Sequence, residues 1–284
     1  ILSGRTLAPL SQLASALTRA NSARTAFKTI NELMSKPRDR EDTDNALSRP
    51  SLQGNVEFKN VSFRYPNAPE MTLKDLSFKV SAGEKVAILG KMGSGKSTIA
   101  RLLAGLYEPD SGSILLDGVD IRQIDPADVR RNVGFMLQET WLFSGSIKEN
   151  IQMGFVEYSD DHILKVARMS GVDDFVRRNP AGYDFQLKER GEGLSGGQRQ
   201  SINLARALLH SPSTIILDEP TSSMDSATEK VVLDNLAEWL SNKTLIAITH
   251  RNSLVRLAER VLVIENGMLV ADDTPEKLMG PRPA

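Results

Sequence analysis

The sequence predicts an α/β fold, and three observations carry that prediction. Residues Gly90, Lys91, Met92, Gly93, Ser94, Gly95, Lys96 and Ser97 fill the pattern G-x-x-x-x-G-K-[ST] between an apolar run at 85–89 and a helical run at 98–103. Strand, glycine loop and helix are the setting a P-loop needs. Two more apolar runs of strand length, 214–217 and 244–249, deliver polar residues at their ends. Ahead of the P-loop, 56–58, 61–65 and 73–80 alternate apolar with polar residues before a turn at Ser81-Ala82-Gly83, which reads as an antiparallel start.

With 284 residues, 40% hydrophobic and 25% charged, the chain can build one large domain or two modest ones around a proper core. A formal charge of −1 gives no electrostatic case for general nucleic-acid binding. The absence of cysteine excludes disulfides and cysteine-metal sites and suits a reducing compartment. No run approaches the roughly 20 apolar residues of a membrane-spanning helix, and no signal peptide is read. The chain opens at Ile1 inside what reads as a continuing helix, so a fragment of a longer protein is expected.

From 7 to 34, Leu10, Leu13, Leu17, Ala20, Phe27, Ile30 and Met34 fall along one helical face interrupted by Arg19, Arg24 and Lys28. Such a helix lies against a partner or packs on its own domain. Residues 35–53 are polar and charged, contain Pro37 and Pro50, and read as a linker. The main domain is expected over 54–284. Tyr65, before Pro66 at a strand end, is placed either to stack on a nucleotide base or to fill the small sheet's core. Residues 113–116, the Asp117-Gly118 turn and 119–121 read as a hairpin, and Asp125-Pro126 as a helix start. The strand 133–137 ends in Gln138, a candidate for magnesium or the attacking water, or simply a loop opener. Residues 159–180 read as helical, capped by Ser159 and stopped by Gly171. With no cysteine and no close histidine partner, His162 and His210 read as structural and imply no zinc site.

Glycines at 90, 93 and 95 let several N–H groups converge at the positive end of a helix dipole, which suits a polyphosphate. Lys96 adds a mobile positive charge for the outer phosphates, and the Ser97 hydroxyl is placed for magnesium. Leu194-Ser195-Gly196-Gly197-Gln198 opens a second long helix. Its Ser195 cap and the glycines after it form either another anion receptor, without a lysine, or an ordinary capped helix. Asp218 and Glu219 close the strand 214–217, facing different ways, one toward a magnesium shell and the other toward a water. His250, after 244–249, can donate a hydrogen bond to a terminal phosphate. Two cradles with one lysine and one acidic pair call for a two-fold dimer in which each subunit closes the other's site.

These residues resemble the ATPase domain of ATP-binding cassette (ABC) transporters over about 54–279, because the 194–198 signature stands between a P-loop and an Asp-Glu strand in that family's order. The resemblance implies a RecA-like P-loop core with an antiparallel β subdomain and a helical signature subdomain at about 139–212. It implies ATP and Mg2+ as ligands. By the same resemblance Tyr65 stacks on adenine, the 90–97 loop with Thr98 holds the phosphates, Gln138 is the Q-loop residue, and Glu219 is the general base. His250 becomes the switch histidine and Asp225 the D-loop acid, although Ser222-Ser223-Met224-Asp225 departs from the commoner Ser-Ala-Leu-Asp. Ser195, Gly196, Gly197 and Gln198 then serve the partner's nucleotide.

Residues 139–151 and 189–193 look like exporter segments that face a transmembrane partner. Residues 4–10 and the helix after them are similar to the cytoplasmic end of the last membrane helix in bacterial type I secretion ATPases, which export large repeat-containing toxins or adhesins. The expected partners are therefore an absent transmembrane domain of the same polypeptide, a second copy of the chain, a membrane-fusion protein, an outer-membrane channel and a secreted protein, with no nucleic acid. The expected location is the cytoplasmic face of a bacterial inner membrane. Rival readings are an exporter of lipids or drugs, a nucleotide sensor without turnover, and a cassette ATPase of DNA repair or translation.

Overall fold

The computed structural model describes residues 2–36, 46–154 and 158–279, and the chain divides into two units, 1–46 and 47–284. In the first unit, helix α1 (Leu2–Met34) carries Pro9 in its early turns. Thr18, Thr25 and Thr29 each return their hydroxyl to the carbonyl four residues earlier. Leu13, Leu17, Phe27, Ile30, Leu33 and Met34 are exposed along it.

The second unit begins earlier than the sequence suggests. Part of the expected 35–53 linker lies outside the described residues, but 47–53 is fastened to the domain and not free. Leu47 forms a parallel bridge with Ile124. The Asp128 carboxylate accepts from Ser48 Oγ and Arg49 N, and the Asn132 side chain holds Leu52 N and the Pro50 carbonyl. Pro50 and the surrounding charge mimic a linker because these partners lie some 80 residues further along the chain.

The strands of this unit are β1 (Val56–Phe63), β2 (Leu73–Val80), β3 (Lys85–Leu89), β4 (Ser111–Leu116), β5 (Val119–Asp120), β6 (Val133–Met136), β7 (Gly145–Ser146), β8 (Gln186–Leu187), β9 (Thr214–Asp218), β10 (Thr244–Ile248), β11 (Arg260–Glu265) and β12 (Met268–Asp273). After α1 the helices are α2 (Lys96–Leu103), α3 (Pro126–Asn132), α4 (Ile147–Gln152), α5 (Asp160–Met169), α6 (Val172–Val176), α7 (Gly196–Leu209), α8 (Ser226–Trp239), α9 (Asn252–Val255) and α10 (Pro275–Met279).

An antiparallel sheet of order β2-β1-β4-β5 faces a six-stranded sheet of order β12-β11-β3-β10-β9-β6. The latter is parallel except for its β12 edge. The runs expected at 56–58 and 61–65 are joined into β1, whose register slips between Phe58 and Val61 where Asn60 takes a left-handed φ of 49°. Residue 121 leaves its hairpin for a short 3-10 turn, Ile121–Gln123, capped by Asp120. The helical stretch after Ser159 is two helices, α5 and α6, turning at Gly171.

Alternation sorts the central strands between two cores. Ile216, Ile246 and Ile248 face α2 and the antiparallel sheet with Val56, Phe58 and Leu76. Their neighbours Ile215, Leu217, Leu245 and Ala247 face a helical core with Ile202, Leu208 and Leu236. Both faces of the sheet are covered, which is why these strands read as continuous apolar runs. Parallel β3, β6, β9 and β10 therefore bring the P-loop, Gln138, Asp218-Glu219 and His250 to one sheet edge, where ligands of such folds bind.

Candidate active site

Helix α2 starts from Gly95, which sits at φ 102° with no side chain capping the helix. A Cβ there would lie 2.7 Å from Leu73 Cδ2 and 3.0 Å from the Thr72 carbonyl, so this turn admits only glycine. The uncapped N–H groups point into the loop. Met92 stands fully exposed at the loop's tip, while Ser94 Oγ is buried without a hydrogen-bond partner among the described residues. Lys96 Nζ donates to the carbonyls of Gly90 (2.7 Å) and Lys91 (2.8 Å). Burial lowers the Lys96 pKa, against the pull of Asp218 and Glu219.

Across the sheet edge, buried Asp218 accepts a hydrogen bond from Ser97. Desolvation nevertheless raises its carboxyl above the ordinary range, with Glu219 adding to the rise. Glu219 is held at φ 51°, a left-handed backbone for a non-glycine residue. Its Oε1 accepts from His250 Nδ1 at 2.6 Å, and its Oε2 is buried with no partner among the described residues. A carboxylate with one oxygen fixed and the other unsatisfied is oriented for a further donor. Gln138 is exposed and shares a cavity of about 480 Å³ with Asp218, Arg101 and Tyr107.

Tyr65 is half-buried. Its hydroxyl meets Thr98 Oγ1 at 3.1 Å and Arg101 Nη1 at 3.0 Å, and its ring meets Phe63 and Tyr107 edge to face. The core reading is met: Tyr65 packs against the small sheet's core and is anchored to the P-loop helix.

The second cradle is built differently. Ser195 and Gln198 form a complete capping box at the start of α7: Ser195 Oγ accepts from Gln198 N at 3.1 Å, and Gln198 Oε1 accepts from Ser195 N at 2.8 Å. Gln198 is thereby engaged within its own helix, leaving the Gly196 and Gly197 N–H groups as those without an intrahelical acceptor. A Cβ at Gly196 would lie 2.9 Å from Ser223 Cβ, so the glycine also lets the 222–225 loop approach. Ser195, Gly197, Gln198, Ser223, Asp225 and Thr228 line a cavity of about 270 Å³. The Asp225 carboxylate caps α8 through Ala227 N and Thr228 N and accepts from Thr228 Oγ1. These bonds, led by those from Thr228, hold its pKa low.

The two exporter-like stretches also meet. Arg190 lies over the Trp141 ring at 4.6 Å, and Arg190 N donates to Leu142 O at 2.9 Å. Arg206 of α7 donates to the carbonyls of Trp141 and Asn150 and, at 2.7 Å, to Asn150 Oδ1. Burial lowers its pKa to about 10. His162 Nε2 meets the Leu209 carbonyl at 2.7 Å, and His210 pairs with the Tyr158 hydroxyl, so both histidines bind within the helical core's edge.

The sequence reading gives no role of their own to Arg206, Asn150, Gln200, Glu229 or Arg251. Gln200 alone had a local signal: it lies on the inward face of α7 with Ser201, Leu204 and Ala205.

Orphaned polar atoms, an uncapped helix start and a hydroxyl beside a carboxylate fit a nucleoside polyphosphate with a hard cation. Fold and site together define a P-loop nucleotide-binding protein. The family model described as ABC transporter matches residues 73–222. The chain is 37% identical over 279 residues to the alpha-hemolysin translocation ATP-binding protein HlyB of Escherichia coli O157:H7, covering 98% of this chain and 39% of that protein. It is 39% identical over 238 residues to the putative multidrug export ATP-binding/permease protein YgaD of Bacillus subtilis (strain 168), covering 84% of this chain and 41% of that protein. A bacterial Atm1-family ABC exporter solved with ATP bound superposes with a TM-score of 0.84 at 34% identity, over 91% of this chain and 45% of that chain. The chain belongs to the ABC transporter family, as an ATP-binding domain of the exporter type. It spans less than half the length of these relatives.

Proposed function

We propose that this chain hydrolyses ATP as the motor of an exporter, in a dimer that encloses two nucleotides. The observation that carries the reading is Glu219: a buried carboxylate, fixed through one oxygen by His250 and unsatisfied at the other, at the same sheet edge as the P-loop. Glu219 Oε2 takes the proton of the attacking water, and His250 holds the terminal phosphate. Lys96 and the uncapped start of α2 bind the outer phosphates, and Tyr65 meets the base. Ser97, Asp218 and Gln138 would hold magnesium, an oxygen-only set suited to it. When bound, the ion offsets phosphate charge. Ser195, Gly196 and Gly197 close over the partner subunit's phosphates, with Asp225 beside them.

The similarity to HlyB supports a narrower reading, type I secretion of a large protein such as an RTX toxin or adhesin. In it the chain joins a transmembrane domain of its own polypeptide at the cytoplasmic face of a bacterial inner membrane and works with a membrane-fusion protein and an outer-membrane channel. The similarity to YgaD supports a second reading, drug export by the same motor.

Replacing Glu219 with Gln is expected to slow phosphate release roughly a hundredfold or more while ATP still binds. Turnover near wild type in a steady-state assay would remove Glu219 from the base role.

A further inference from the structure

Between the cradle helix and the acidic pair lies one polar side chain that the proposed mechanism does not use. Gln200, on α7, is 5% exposed and makes three hydrogen bonds, all to one loop. Its Nε2 donates to the Glu219 carbonyl at 3.2 Å and to Ser222 Oγ at 2.7 Å, and its Oε1 accepts from Ser223 N at 2.8 Å. Both ends of the amide are therefore spent on the segment that leads away from Glu219, and a buried amide so satisfied resists displacement.

The far side of that loop is clamped as well. Arg251, next to His250, donates to the Ser222 carbonyl at 2.9 Å and to Glu229 at 3.0 Å, while Glu229 also accepts from Thr221 and Ser253. Glu219 is thus gripped at its side chain by His250 and at its backbone carbonyl by Gln200. Its left-handed backbone is a conformation that persists only where neighbours impose it. Ser223, whose N–H Gln200 holds, is also the residue against which Gly196 of the cradle packs.

We propose that Gln200 is a positioning residue: it holds Glu219 in its strained backbone and ties that residue to the start of α7, so that a phosphate seated in a chain's Ser195 cradle is felt at the same chain's Glu219. The inference rests on the ATPase reading above. In the dimer, that cradle serves the partner's P-loop. Gln200 therefore links the two sites through the interior of each subunit.

The test measures steady-state phosphate release and ATP affinity for Gln200→Leu, Ser222→Ala and Glu219→Gln in the full chain, with thermal unfolding followed alongside. The expected result for Gln200→Leu is a kcat at least tenfold lower with KM within about threefold of wild type, because positioning of the base is lost while phosphate binding is not. Ser222→Ala, which removes one of the three bonds, should lower kcat about two- to fivefold at unchanged KM. It carries the test if Gln200→Leu does not fold. Wild-type kcat in a folded Gln200→Leu, or in Ser222→Ala if the former does not fold, overturns the proposal. So does a Gln200→Leu defect confined to KM. Glu219→Gln separates the two readings: if it turns over normally the base assignment fails, whereas if it is inactive and Gln200→Leu is normal only the positioning role fails.

Discussion

Two helices of this chain begin with glycines at a proposed anion receptor, yet they begin in opposite ways. Helix α2 starts from a left-handed Gly95 with no side-chain cap, so its first donors are open to a ligand. Helix α7 starts from a full capping box in which Ser195 and Gln198 satisfy each other. The uncapped end carries the lysine, the orphaned Ser94 hydroxyl and the acidic pair nearby. The capped end carries no lysine: its nearest cation, Arg199, is turned onto the Leu194 carbonyl, and the end packs against the 222–225 loop. On the proposed reading, the end that binds the bulk of a polyphosphate forgoes its cap, whereas the end that only touches a ligand arriving from outside keeps the cap and its stability. The difference suits a site completed by a second copy and not by folding alone.

That contrast can be broken by placing the same methyl group at each helix start. Gly95→Ala is expected to have the larger effect: left-handed strain plus contact with Leu73 and the Thr72 carbonyl should cost about 3 kcal/mol and abolish nucleotide binding. Denaturant unfolding and nucleotide titration read both. Gly196→Ala has no left-handed strain to meet, only Ser223, and should cost about 1 kcal/mol after the helix gains from losing a glycine. Nucleotide binding by the isolated P-loop half should survive it, and turnover should fall. Adding Ser223→Gly to Gly196→Ala removes the clashing atoms and should recover most of the stability. Equal losses at the two positions would erase the distinction between the cradles.

The P-loop, the Asp218-Glu219 end and His250 were legible because each is a contiguous motif at the end of an apolar run, and parallel pairing does the rest of the assembly. Helix starts at Ser159, Asp125 and Ser195 were legible because side-chain caps act within three residues. Long-range side-chain pairing was not. Gln200 meets Glu219 across 19 positions and Ser223 across 23, and Arg206 reaches Asn150 across 56. Likewise the 47–53 strap looks like linker until Asp128 and Asn132 are seen to hold it. In β1 the left-handed Asn60 merges two expected strands through a register slip that alternation alone does not encode.

The shared site is tested most directly by complementation. Lys96→Ala keeps its cradle and loses its P-loop lysine, and Ser195→Arg keeps its P-loop and blocks its cradle, so each alone should release little phosphate. Mixed in equal amounts, they should form dimers with one intact site and recover up to about a quarter of wild-type turnover, rising with protein concentration. A mixture that never exceeds the mean of its two parts would contradict a nucleotide held between two copies of this chain.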